Sequence, residues 1–275
     1  MFPAINVFGR TIGTYALLAL IGALLCGFIF CRLIRKRGLD DNPALAFLLW
    51  VFVGVMVGGH FLYALVNIGD FPKDIEFFGF FTAVVNLFGG SVFYGGLIGG
   101  LVAGLISIKV MKVDFLTYSA CMAPIIPLFH AIARVGCFLG GCCYGVISEF
   151  GFAAQGNPYV PFVNGISRFP VQLLESGLNL ILAAVLFYLL KKSDKNEKLK
   201  SSMLRIYLIS YACIRIFTEF FRGDIYRGFI GPLSTSQFIS IIILIVCIAS
   251  YVLPKFVKTK KVSVRRSVFK DTAQL

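Results

Sequence analysis

The chain has little charge and little else that marks a water-soluble domain. Only 14% of its 275 residues are Asp, Glu, Lys or Arg, it has 2 histidines and 1 tryptophan, and 58% of it is hydrophobic. With a mean hydropathy of +0.87, this composition excludes an ordinary soluble fold. Acidic residues are scarce, 13 against 26 basic ones, for a net charge of +13. A nucleic-acid binder would gather such an excess on a polar face with aromatics to stack. Here short basic clusters separate long apolar runs, which is a membrane pattern. No polar stretch is long enough for a second, soluble domain. No inverted repeat is evident and the intramembrane charges lie to one side, which argues against a pore or transporter. Near the cysteines, no His-x-His or second CxxC supplies the fourth ligand that zinc wants, so no metal is expected.

Seven apolar runs are present, at approximately 12–31, 43–66, 92–108, 114–133, 171–190, 203–221 and 235–253. Crossing a hydrocarbon core of roughly 30 Å takes about 20 residues, so the expectation is an all-α membrane protein with seven transmembrane helices. The first run has no small-residue cleavage site followed by a polar region and is expected to be a retained span. Basic residues then set the orientation. Arg32, Arg35, Lys36, Arg37, Lys109, Lys112, Lys191, Lys192, Lys195, Lys198, Lys200 and Arg205 fall on one side, with the basic tail from Lys255 to Lys270. The other side and the span ends hold Arg10, Lys73, Arg134, Arg168, Arg215, Arg222 and Arg227. This asymmetry predicts the amino terminus outside and the carboxyl terminus in the cytoplasm. The organisation expected is a membrane domain over 1–255 and a basic cytoplasmic tail over 256–275. The connections 67–91 and 134–170 then lie outside. Both are apolar enough to lie in the interface or fold back, since exposed backbone in lipid would be unsatisfied.

Charged groups at membrane depth mark sites or paired structural groups. In "YACIRIFTEFFRGD", Arg215, Glu219 and Arg222 share a helical face. They are either a self-neutralised structural set or, with two arginines against one glutamate, a cationic site for an anion such as a lipid phosphate. In "SRFPVQLLES", Gln172 and Glu175 share a face just after Pro170, as in an ordinary helix start or a binding face. "GGSVFYGGLIGGLVAG" carries overlapping GxxxG spacings, Gly95/Gly99, Gly96/Gly100 and Gly100/Gly104, best explained by close helix packing. Tyr94, at its start, reads as an interface anchor or a catalytic group. His60 lies inside the second run, where histidine is rare, and reads as a satisfied hydrogen-bonding group or a proton-transfer one, and His130 lies one turn before Arg134.

"ARVGCFLGGCCYG", residues 133–145, combines Arg134 with Cys137, Cys142 and Cys143. On an outer face a disulfide can persist, and a Cys137–Cys142 bridge bracing the turn is the more plausible pairing. A vicinal Cys142–Cys143 bridge would be strained. The other five cysteines read as small apolar fillers.

Together these pieces resemble the phosphatidylglycerol–prolipoprotein diacylglyceryl transferase family over about residues 8 to 255. "FPVQLLES" is similar to its (R/H)-x-P-x-Q-L-Y-E element at Arg168, Pro170, Gln172 and Glu175. "IRIFTEFFRGD" resembles R-F-x-x-E-F-F-R-x-x-D at Arg215, Glu219, Phe220, Phe221 and Arg222, and "YGGLIGG" resembles H-G-G-L-I-G. "ARVGCFLGGCCYG" is similar to the signature G-R-x-G-N-F-x-N-G-E-x-x-G at Arg134, Gly136, Phe138, Gly141 and Gly145. Tyr15 resembles the tyrosine of the family's first span. The chain departs from the pattern where Tyr94 replaces a histidine, His60 an arginine, Cys137 and Gly140 two asparagines, and Cys142 a glutamate.

The resemblance implies transfer of diacylglyceryl from phosphatidylglycerol to the lipobox cysteine of a prolipoprotein in a bacterial cell membrane, without metal or nucleotide. Arg134 would take the phosphodiester with Arg215 and Arg222 in support, Glu219 would orient those arginines, and Tyr15, Gln172 and Glu175 would complete the substrate site. Tyr94 or His60 would act as base. A competing reading is a thiol-redox or lipid-binding protein on the same fold.

Overall fold

The structure, a computed structural model, describes residues 2–7, 9–40, 42–70, 79–80, 82–83, 86, 88, 93–224 and 229–250. The basic tail 256–275, Lys73 and Arg227 lie outside these residues. Among the described residues are helices α1 (Thr14–Arg35), α2 (Asn42–Val66), α3 (Phe93–Met111), α4 (Phe115–Gly140), α5 (Val171–Ser193), α6 (Glu197–Glu219) and α7 (Thr235–Ser250). Each of the seven apolar runs falls on one of them. Four are long and apolar enough to cross a membrane, namely α1, α2 over Asn42–Leu65, α4 and α5. The apolar parts of α3 and α7 are shorter. Helix α6 has the length, but Lys198, Lys200, Arg205, Arg215 and Glu219 lower its hydropathy. Large apolar side chains such as Leu24, Phe52, Leu101, Ile181 and Ile245 face outward, as lipid-facing helices require.

The frame is helical, as expected, but three short antiparallel ribbons are added: β1 (Ala4–Val7) with β2 (Arg10–Gly13), β3 (Ile147–Ala153) with β4 (Ser167–Arg168), and β5 (Phe229–Ile230) with β6 (Leu233–Ser234). Gly9 and Gly231, at φ +78° and +61°, turn the first and third.

The described chain falls into two compact units, Leu25–Cys121 and Met1–Leu24 with Met122–Leu275. In the first, the glycine pairs of α3 meet a matching pair on α2. A Cβ on Gly58 would strike the Gly95 carbonyl, and one on Gly99 would strike the Gly54 carbonyl. Backbone lies against backbone, the close approach that small residues permit between membrane helices. Phe30, Phe47 and Tyr118 form an aromatic trio there, with ring centroids 5.7–5.8 Å apart.

In the second unit, α4 runs seven residues beyond the apolar run, so Arg134 stands on a helix rather than in a connection. Gly136 allows this: a Cβ there would lie 3.2 Å from the Tyr15 Cα. The helix stops at Gly141, at φ +76°. The Cys142 N–H donates to the Cys137 carbonyl at 3.2 Å and the Gly141 N–H to the Phe138 carbonyl at 3.3 Å, the two bonds of a Schellman cap. The Asn157 side chain donates to the Gly140 carbonyl at 3.0 Å, satisfying another orphan of the helix end. Gly140 and Gly141 therefore end the helix.

A main-chain clasp follows. The Val146 N–H donates to the Phe221 carbonyl at 3.0 Å, the Gly223 N–H to Tyr144 at 3.0 Å and the Phe169 N–H to Val146 at 2.9 Å. A Cβ on Gly145 would strike the Phe169 carbonyl, so only glycine fits between the strands of this clasp. It joins the end of α4, the start of α5 and the end of α6.

Candidate functional site

The clasp and the helices it joins bring four charged side chains together. Glu175, on the second turn of α5, is 3% exposed. Its Oε2 pairs with Arg134 Nε from α4, and its Oε1 with Arg215 NH1 from α6. Thr218 donates its hydroxyl to the same Oε1 at 3.1 Å. Arg215 NH2 also pairs with Glu219 Oε2 at 3.0 Å and donates to the Ser236 hydroxyl at 2.9 Å. The Arg134 Nε–H donates to His130 Nε2 at 3.1 Å. The His130 ring packs on Tyr211, with centroids 5.3 Å apart.

A buried carboxylate between two guanidiniums is stable only when its oxygens are filled, and here they are. The arrangement leaves donors over. Arg134 NH1 reaches only the Cys137 sulfur, at 3.9 Å, and its NH2 has no hydrogen-bond partner among the described residues. Arg134 is thus held by its Nε, and its terminal nitrogens are the unspent donors of the set. Arg222 is held separately by Asp224, which takes Nε at 2.8 Å and also pairs with NH2. The positive excess expected of this region is offset: Arg134, Arg215 and Arg222 stand against Glu175, Glu219 and Asp224.

Beside the fork lie Cys137, Cys142 and Cys143, free thiols whose sulfurs are within 4.8 Å of one another. The expected Cys137–Cys142 bridge is not formed, and the Cys142 thiol instead points at the Cys137 carbonyl at 3.7 Å. Hydrogen bonds from the Cys137 and Cys142 thiols, with Arg134 and Arg222 adding, hold the Cys143 thiol below its ordinary range. Hydrogen bonding to Cys137 and Cys143 pushes the Cys142 thiol up. Gln172 donates to the Cys142 carbonyl at 2.8 Å and so fixes the turn. Under the β3–β4 ribbon is a recess lined by Phe138, Tyr144, Phe152, Phe169, Arg168 and Gln172. The Arg168 guanidinium lies 4.3 Å over the Tyr144 ring.

The model of the prolipoprotein diacylglyceryl transferase family matches residues 3–253. The chain belongs to that family. Among relatives named phosphatidylglycerol–prolipoprotein diacylglyceryl transferase, one from Clostridium tetani is 30% identical over 255 residues, 92% of this chain and 97% of its own length. One from Clostridium perfringens, named as transferase 2, is 31% identical over 244 residues, 87% and 90% of the two chains. One from Finegoldia magna is 26% identical over 243 residues, 88% and 91% of the two.

Within this diacylglyceryl transferase, the structure brings Arg134, Glu175, Arg215 and Glu219 into one ionic set. Tyr15, 48% exposed, packs its backbone on Gly136 of the same unit. His60 and Tyr94 belong to the other unit. His60 Nδ1 donates to the Phe88 carbonyl at 2.9 Å. Tyr94 is the second residue of α3. Glu175 pairs with both Arg134 and Arg215, whereas Glu219, the group that the resemblance makes the orienting one, pairs with Arg215. Thr218, Asp224 and Ser236 are missed by the sequence reading. Thr218 had a signal, standing one turn after Arg215, and Asp224 had one in its place two residues after Arg222.

Proposed function

We propose that this protein transfers the diacylglyceryl group of phosphatidylglycerol to the lipobox cysteine in the signal peptide of a prolipoprotein, the first step of lipoprotein maturation. The work would take place at the outer face of a bacterial plasma membrane. On this reading the chain crosses seven times, with its amino terminus outside and residues 256–275 as a cytoplasmic tail on the anionic inner leaflet.

The lipobox thiol loses its proton, and the thiolate attacks the glyceryl carbon that bears the phosphate. A C–S bond forms as the C–O bond breaks, and glycerol phosphate leaves with the electron pair on its oxygen. Charge grows on that oxygen in the transition state, so a fixed cation there lowers the barrier. Arg134 fills this role through its outward fork, with Arg222 as a second cation. Glu175, Arg215 and Thr218 keep the Arg134 fork aimed, and little reorganisation is left to pay during reaction. The apolar recess with Arg168 over Tyr144 suits a lipid with an anionic head. Of the two residues named as base, His60 suits the role better by residue type, because an ordinary tyrosine with pKa about 10 stays protonated near neutral pH.

The observation that carries this reading is the Glu175-held Arg134 fork in a chain of this family. The test is complementation of a strain depleted of its own transferase, scored by lipoprotein modification in membranes. Wild-type chain should restore modification and Arg134→Lys should not. Absence of modification by well-expressed wild-type chain would sink the proposed substrate.

A further inference from the structure

We propose that Cys137, Cys142 and Cys143 form a binding site for one thiophilic d10 metal cation, of the Zn2+ class, beside Arg134. This goes beyond the transfer reaction, which needs no metal, and does not depend on it.

The backbone assembles the three thiols. The Schellman bond from the Cys142 N–H to the Cys137 carbonyl, at 3.2 Å, folds the chain so that residues five apart become neighbours. Cys143 then adopts φ +54°. A residue with a side chain rarely takes that left-handed conformation, and its appearance is a reason to look for a functional demand. Here it turns the third thiol toward the other two. All three sulfurs lie within 4.8 Å of one another. Sulfurs sharing a zinc at about 2.3 Å stand roughly 4 Å apart, so small side-chain rotations close the set.

The donor chemistry selects the ion. Three thiolates suit a soft or borderline cation and not Mg2+ or Ca2+, which take oxygen ligands. Three protein ligands leave one position of a zinc tetrahedron for water. The sequence argument against zinc asked for a fourth protein ligand, which a site of this open kind does not need. Charge is also accommodated. Three thiolates around a divalent ion leave a single negative charge, next to the Arg134 NH1 that already approaches the Cys137 sulfur at 3.9 Å. The outer shell is in place too, since Gln172 holds the Cys142 carbonyl at 2.8 Å. A disulfide accounts for these features less well. It would join two thiols and leave the third, and the vicinal pair would be strained. A bound ion uses all three, two of them, Cys137 and Cys142, at positions where the family pattern carries asparagine and glutamate.

The experiment uses the full chain, purified in detergent under reducing conditions and stripped with a chelator. Zn2+ is added and its retention after desalting measured, with alkylation by N-ethylmaleimide mapped by mass spectrometry. The expected result is one equivalent of zinc retained, with Cys137, Cys142 and Cys143 protected together while Cys213 alkylates at its usual rate. Co2+ in place of Zn2+ should give a thiolate charge-transfer band, and Cys142→Ser and Cys143→Ser should abolish it while Cys26→Ser leaves it. The wild-type protection pattern keeps the test valid if a serine variant fails to fold. No retained zinc and no protection would overturn the proposal, as would isolation of a Cys137–Cys142 disulfide that forms in preference to metal uptake. Transfer activity is scored separately and does not decide the outcome.

Discussion

Replacing Glu175 with glutamine keeps its shape and removes the charge that joins α4 to α6. In the wild type both carboxylate oxygens are taken, one by Arg134 and the other by Arg215 and Thr218. The side chains are poorly exposed, 13% for Arg134, 9% for Arg215 and 4% for Glu175. An amide accepts through one oxygen only, and its NH2 would face a guanidinium. Breaking a buried ion pair costs about 3–5 kcal/mol, a third or more of the stability of a marginal protein. The rate effect is separate. If the Arg134 fork stabilises the leaving phosphate, releasing it should lower the rate about 10²–10³-fold, as for loss of one oriented transition-state donor. Two assays separate the effects: thermal unfolding in detergent, and transfer from phosphatidylglycerol to a lipobox peptide under conditions where the variant is folded. Glu175→Gln should fail in both, with the deficit in kcat larger than that in KM. Glu175→Asp, which keeps the charge, should recover part of each. Folded Glu175→Gln protein with a wild-type rate would refute the positioning role, even if it melted earlier.

Other outcomes follow from single contacts. Asp224→Ala leaves the buried Arg222 without the carboxylate that takes two of its nitrogens, so unfolding in detergent should reveal a loss of about 3–5 kcal/mol. Gly99→Ala places a methyl on the Gly54 carbonyl, whereas at Gly96 a Cβ meets the Val55 carbonyl at 3.2 Å. The first should lower the melting temperature, by an overpacking cost of about 1–3 kcal/mol, and the second should be milder. Cys143 is held below the ordinary thiol range and Cys142 above it. The thiolate is the reactive form, so in metal-free protein iodoacetamide labelling at Cys143 should persist as pH falls from about 9 to about 6, while Cys142 labels poorly even at the upper end. Equal loss at both would contradict the arrangement of the three thiols.

The helices were legible because hydropathy in a membrane protein is set by the bilayer and not by the partner helix. Each apolar run falls on a helix, and the glycine spacing of α3 already pointed to close packing. Its partner spacing, Gly54 and Gly58, was present in the sequence but hidden in an apolar run with no charge to draw notice. The end of α4 was misplaced because Arg134 looked like a boundary. A buried glutamate on the next helix keeps that arginine inside, and the distance in sequence, 41 residues, hides the pair. For the same reason the pair of Arg215 with Glu219, four residues on, was legible and its pair with Glu175 was not. Local spacing shows which groups share a helical face, and only the fold shows which faces meet. The ribbons were missed because each is short and leans on one or two glycine turns, a weak signal beside twenty-residue apolar runs.

The clasp at Tyr144–Val146, Phe169 and Phe221–Gly223 has a consequence for how this enzyme can change. Its bonds run between main chains, and main chains do not record which side chains they carry. Only the glycines, at 145 and 223, are compelled, because a methyl has nowhere to go. Side chains beside such a joint are free to be rewritten without moving the helix ends that it ties. That is how thiols can stand at 137 and 142, where the pattern that this sequence resembles has an amide and a carboxylate, while the arginine one turn away keeps its aim.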